Sequence, residues 1–114
     1  MKAILINSEK YEVTEVDLEE DEFGEVKIED ISKQLKCNYF DVARIGNGDA
    51  IFVDDEGLLR EGVQPAFEHK GYHSLLVGNG VVLGSGSMGE SLPPKSTIEE
   101  IREAIQFGVV GIEN

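Results

Sequence analysis

Two Asn-Gly steps constrain most strongly what this chain can fold into. Asn47-Gly48, within Gly46-Asn47-Gly48, separates the strand-like runs YFDVARI and DAIFVD, and Asn79-Gly80 separates LLVG from VVLG. Asn and Gly accept the positive φ that a tight hairpin turn demands, so each step predicts an antiparallel hairpin. A further hairpin is expected at the N-terminus, where AILIN and YEVTEVDL flank Asn7-Ser8-Glu9-Lys10. Strands that follow one another in this way lack the βαβ rhythm of a doubly wound parallel sheet.

Two helices complete the expectation. Ile28, Ile31 and Leu35 recur at helical spacing in KIEDISKQLK. STIEEIREAIQFG opens on Ser96 with Glu99 three residues on, the pattern of a capping box. Ile98, Ile101 and Ile105 mark its buried face, and Gly108 suits its C-terminal cap. VVGI is a candidate last strand. Between the hairpins, DDEGLLREGVQPAFEHKGYH reads as irregular, because Pro65 interrupts any long element. The expected fold is α+β, a compact single domain over residues 1–114 with mostly antiparallel strands and hairpins and two helices.

Composition narrows the function classes. The 114 residues are 40% apolar, enough for a packed core, and no apolar run approaches the length of a membrane span. Cys37 is the one cysteine, which excludes an internal disulfide and a zinc site built on cysteines. With no secretory signal pattern at the N-terminus, a cytoplasmic location in a host cell is expected. The net charge is −13, and residues 12–30 hold ten acids against one base, Lys27. Residues 62–98 are nearly neutral, with two acids, two bases and both histidines. Direct nucleic-acid binding needs a basic face and is not expected. The acid run reads as a solvated face, or as a decoy that competes with DNA for a basic partner.

The neutral region carries the candidate sites. Gly84-Ser85-Gly86-Ser87-Met88-Gly89 spells G-x-G-x-x-G, but Pro93 and Pro94 delay the next helix and no Gly-Lys-Ser/Thr follows. Neither a dinucleotide fingerprint nor a Walker loop is present. A looser anion nest remains open, with glycine amides turned inward, Ser85, Ser87 and Ser91 as donors, and Lys95 nearby. The alternative is a hairpin followed by a plain loop. His69 and His73 lie four apart around Gly71 without a telling third ligand, so no metal is expected; Tyr72 and His73 suit stacking on a base. Asp54-Asp55-Glu56 lacks the spacing of a calcium loop and reads as a solvated turn. Cys37 follows a helix and has no neighbouring histidine, which makes it a poor nucleophile. No catalytic constellation stands out, and no cofactor is expected.

Several segments together resemble a family of small phage and plasmid proteins catalogued as domain of unknown function three-eight-four-six. They are MKAILIN with YEVTEVD, then GDAIFVDDEGLL, QPAF as a variant of Asn-Pro-x-Ala, LLVGNGVVLG, and the terminal STIEEIREAI. GSGSMGES departs from the more acidic turn that the resemblance implies. The resemblance implies an α+β domain from a mobile element, with no assigned activity. A non-enzymatic sponge that sequesters a nucleotide-derived host immune signal is therefore the leading expectation. Its ligand-binding candidates are Arg60, Tyr72, His73, Gly78, Asn79, Gly80, Gly84, Ser85, Gly86, Ser87 and Lys95. Such a binder gains from being a homo-oligomer, and the apolar FGVVGI is the candidate contact. The alternative is an acidic DNA mimic or protein-binding inhibitor of a host enzyme, acting through residues 12–30.

Overall fold

The computed structural model describes residues 1–112, and the side chains of Leu58 and Ile112 lie outside that description. The strands are β1 (Lys2–Asn7), β2 (Glu12–Asp17), β3 (Phe40–Arg44), β4 (Asp49–Asp54), β5 (Gly62–His69), β6 (Leu76–Val77), β7 (Gly80–Ser85), β8 (Ser91–Leu92) and β9 (Ile105–Ile112). The helices are α1 (Ile28–Leu35) and α2 (Ile98–Ala104), with a 3-10 turn at Gly57–Leu59. One sheet runs β2-β1-β7-β4-β3, with β8 paired to the end of β7, and a smaller sheet runs β6-β5-β9. Every strand pair among the described residues is antiparallel, so the α+β class expected from the hairpins is the class observed. Among the described residues no helix is long and apolar enough to cross a membrane.

The larger sheet is covered on both faces, which explains why its central strand β7 is apolar without alternation. Alternate side chains point to opposite sides. Ile4, Ile6, Ile51, Val53 and Val82 face Phe67, Leu76 and Ile101 from the small sheet and α2. Ala3, Val81 and Leu83 face Ile31 and Leu35 of α1, with Leu18 and Val26 beside them. Ile28, expected on the buried stripe of α1, is instead 64% exposed at the first turn, before the helix settles onto the sheet.

Two of the three expected hairpins are present. β1 pairs with β2, and β3 pairs with β4 around Gly46 and Gly48, at φ +91° and +92°. Asn79-Gly80 is not a hairpin. β6 belongs to the small sheet and β7 to the large one, so this step carries the chain between layers. Its polar groups explain the difference, because they bind a third segment instead of closing on themselves. The Asn79 side-chain oxygen accepts from the Ser8 backbone N–H at 3.0 Å, and the Ser8 hydroxyl donates to the Gly78 carbonyl.

Residues 62–69, read as irregular, form an eight-residue strand through Pro65. The Pro65 carbonyl accepts from the Gly78 N–H at 2.8 Å. The Gly78 carbonyl, which a non-proline residue would have bonded, takes the Ser8 hydroxyl instead. Proline's missing donor therefore leaves no orphaned acceptor. The capping box is displaced by one residue, with Thr97 and Glu100 exchanging side-chain and backbone bonds. Ser96 is engaged elsewhere: its N–H donates to Asp49 and its hydroxyl accepts from Asn47. Gly108 is not a helix cap, because α2 ends at Ala104 and β9 runs through Gly108 opposite Ala66.

Candidate functional site

The residues expected to bind a ligand are distributed over separate places. Gly80 is packed inside the core, where an added Cβ would meet Ile51 at 2.7 Å and Phe67 at 2.9 Å. Gly84 lies against the Pro93 carbonyl, and Ser85 continues β7, donating its N–H to the Gly48 carbonyl at 3.0 Å. Gly78 and Asn79 form the layer crossing and line a cleft of about 390 Å³ with Arg60 and Pro65. Arg60 itself donates through Nε and Nη2 to Asp54 at 3.0 and 2.7 Å. Lys95 extends over the Gly48 turn, its Nζ 2.7 Å from where a Cβ on Gly48 would stand.

The G-x-G-x-x-G loop is a closed turn. Gly86 N–H donates to the Glu90 carbonyl at 2.9 Å, and Gly89 N–H to the Gly86 carbonyl at 3.0 Å. The Glu90 carboxylate lies over Gly86 and accepts the Met88 N–H at 2.9 Å. Ser91 N–H donates to Glu25. Carboxylates thus take two of the amides an anion nest would offer, and Ser87 stands exposed.

Tyr72 and His73 do come together. Their rings are 4.6 Å apart at 38°, on a cleft of about 490 Å³ between the end of β5 and the α2–β9 junction. His69 is buried in its wall, and its Nδ1 accepts the Gly71 N–H at 2.8 Å. The proton of the neutral ring then sits on Nε2. Burial pushes the His69 imidazole below its ordinary value, because the charged form loses solvation. Glu68, Lys70 and Glu103 supply charges of both signs. Among the described residues, no group of three His, Cys, Asp or Glu side chains is arranged to hold a metal. Burial, with Asp54 nearby, pushes the Cys37 thiol up, away from a reactive thiolate.

The acid run has more structure than its composition suggests. It folds as β2, then a turn closed by the Asp21 carboxylate accepting from Phe23 and Glu25 N–H at 2.8 and 3.0 Å, then α1. Gly24, at φ +79°, makes the turn tight, and Glu20 pairs with Val26 across it. This geometry holds Phe23 at the tip, 81% exposed. Beside the turn lies a cavity of about 880 Å³. Val26, Ile31, Phe40 and Phe52 form its apolar floor, and Ile28, Ser91 and Lys27 with Glu19, Asp21, Glu25 and Glu29 form its rim, four acids to one base. Lys2, Lys27 and the N-terminal amine pair with Glu15, Glu19, Asp17 and Glu20 at 3.1–3.7 Å, which leaves the face strongly negative.

Sequence reasoning found the charge and missed the apolar floor. The signal was present in Phe23, an aromatic residue set among acids whose one apolar neighbour at helical or strand spacing is Val26. Phe40 and Phe52 carried no such signal, because only the β3–β4 register places them together on one face.

No curated protein and no solved structure matches this chain. A family model matches residues 1–106, and the chain belongs to that family, described as Domain of unknown function (DUF3846).

Proposed function

We propose that this protein is a non-enzymatic binding module whose acidic face docks a basic surface of a partner protein. The observation that carries the reading is the pairing of a mostly acidic rim with an apolar floor and an exposed aromatic, Phe23. Charge alone gives attraction and rapid encounter but little selectivity. An aromatic anchor beside an apolar cavity is what a protein interface concentrates its affinity on. The partner class is therefore a basic protein surface that presents an apolar side chain among lysines or arginines. Inhibition of a nucleic-acid-binding enzyme fits that chemistry.

Calorimetric titration with a helical lysine–leucine peptide tests it. Binding is expected to weaken at least about tenfold in Phe23→Ser, the cost of one lost anchor of roughly 1.4 kcal/mol. It is expected to weaken again in Glu22→Lys and as salt rises. Equal affinity for the native chain and Phe23→Ser would reject the apolar anchor and leave only diffuse charge.

A second reading rests on the Tyr72–His73 cleft, where a flat base has two rings to stack on and Lys70 to meet a phosphate. A nucleotide-derived signal sequestered there is the sponge expected from the sequence, with its site narrowed to Tyr72 and His73 and without the glycine loop. A thermal melt against a nucleotide panel decides it. A true ligand at a hundred times its Kd adds about 2.7 kcal/mol, or roughly 10 °C. A flat panel removes this reading and leaves the acidic face.

A further inference from the structure

Strand β9 is an outer strand of the small sheet, and its free edge differs from the other strand edges among the described residues. Edges are normally blunted by charge, proline, a bulge or brevity. β2 carries Glu12, Glu15 and Asp17, β3 carries Asp41 and Arg44, and β6 and β8 are each two residues long. β9 runs for eight residues, IQFGVVGI, without one charged side chain, in a chain of net charge −13.

The direction of its free groups follows from Pro65. Pro65 turns its carbonyl toward Gly78, so the Pro65–Val109 pair exchanges no hydrogen bonds. In an antiparallel ladder such pairs alternate with bonded ones. The N–H and C=O of Phe107, Val109 and Gly111 therefore point away from β5. The far end of the β5–β9 ribbon also exposes apolar side chains, Val63 at 73% and Val109 at 65%.

We propose that β9 pairs antiparallel with β9 of a second copy about a twofold axis at Val109, joining the two small sheets into one. The side chains fit this register. Phe107 falls opposite Gly111 and Gly108 opposite Val110, so these two larger side chains meet a glycine, while Val109 meets itself and Gln106 falls opposite Ile112. A foreign strand would have to match that large–small alternation, whereas a second copy supplies it by symmetry. Charge selects the same place, since two copies at −13 repel through the acidic faces and meet here without charged side chains in the strand.

Sedimentation equilibrium of the full chain tests the proposal. The native chain is expected to show twice the monomer mass, with association that tightens as salt screens the repulsion, opposite to the salt response of the acidic face. Val109→Pro removes only an outward N–H, which leaves the β5 ladder whole, and Val109→Lys sets two like charges against each other across the axis. Each is expected to sediment as a folded monomer, while Val42→Lys on the β3 edge stays dimeric. If one Val109 variant fails to fold by circular dichroism, the other decides. A native chain that stays monomeric at high salt and high concentration overturns the proposal. So does a dimer that survives the Val109 substitutions.

Discussion

Asp49 is 2% exposed and yet carries a carboxylate, so its surroundings must replace water. They do so with backbone amides. Lys95 N–H donates to one oxygen and Ser96 N–H to the other, each at 2.8 Å. This clamp ties the β3–β4 turn to the segment entering α2. Asp49→Ala is expected to destabilise the fold by about 3 kcal/mol, since two amides lose a charged acceptor. Asp49→Asn, which keeps one acceptor oxygen, is expected to cost less, and denaturant unfolding of both variants checks the order. His69 gives a second prediction at this scale. Its folded pKa lies below the unfolded value of about 6.5, so the unfolded chain binds the extra proton first. Its contribution is fully present above that value and is lost as pH falls toward the folded pKa. Melting temperature is expected to drop between neutral and mildly acid pH, and to drop less in His69→Gln. Neither role was legible in the sequence. Asp49 looked like the first residue of a strand, and its partners are 46 and 47 positions away.

At the scale of elements, what the sequence revealed followed the range of the forces involved. The β1–β2 and β3–β4 hairpins depend on turn chemistry and alternation within about twenty residues, and both could be read. The Asn79-Gly80 step has the same local chemistry as a hairpin turn, but Ser8, some seventy residues away, decides its use. β5 was hidden because the acceptor that Pro65 leaves free is also satisfied by Ser8. The glycines of the candidate site divide in the same way. Gly80→Ala would drive a methyl into Ile51 and Phe67 and is expected to cost about 1–3 kcal/mol by overpacking. Gly108→Ala, in a strand position with nothing near the added Cβ, is expected to be neutral or to stabilise by roughly 0.5 kcal/mol. Thermal unfolding of the pair distinguishes a glycine needed for packing within one copy from one that is not. Gly80 was chosen from the sequence as a ligand contact, but packing accounts for it without one.

Across the whole molecule, the acidic face and the uncharged strand edge belong to different sheets. The acids of residues 12–30 gather around β2, the Phe23 turn and the start of α1, while the uncharged edge belongs to β9 in the other sheet. The layered fold makes this sorting possible, because both faces of the larger sheet are covered and leave the loops and edges free. The measurement that tests the acidic face most directly is an NMR titration of the isotope-labelled chain with the lysine–leucine peptide. Shifts are expected to concentrate at Phe23, Val26, Ile28, Ile31, Phe40 and Phe52, and to fade as salt shortens the screening length from about 10 Å toward about 3 Å. Shifts spread evenly over all exposed acids, or centred on Tyr72 and His73, would contradict docking at that face.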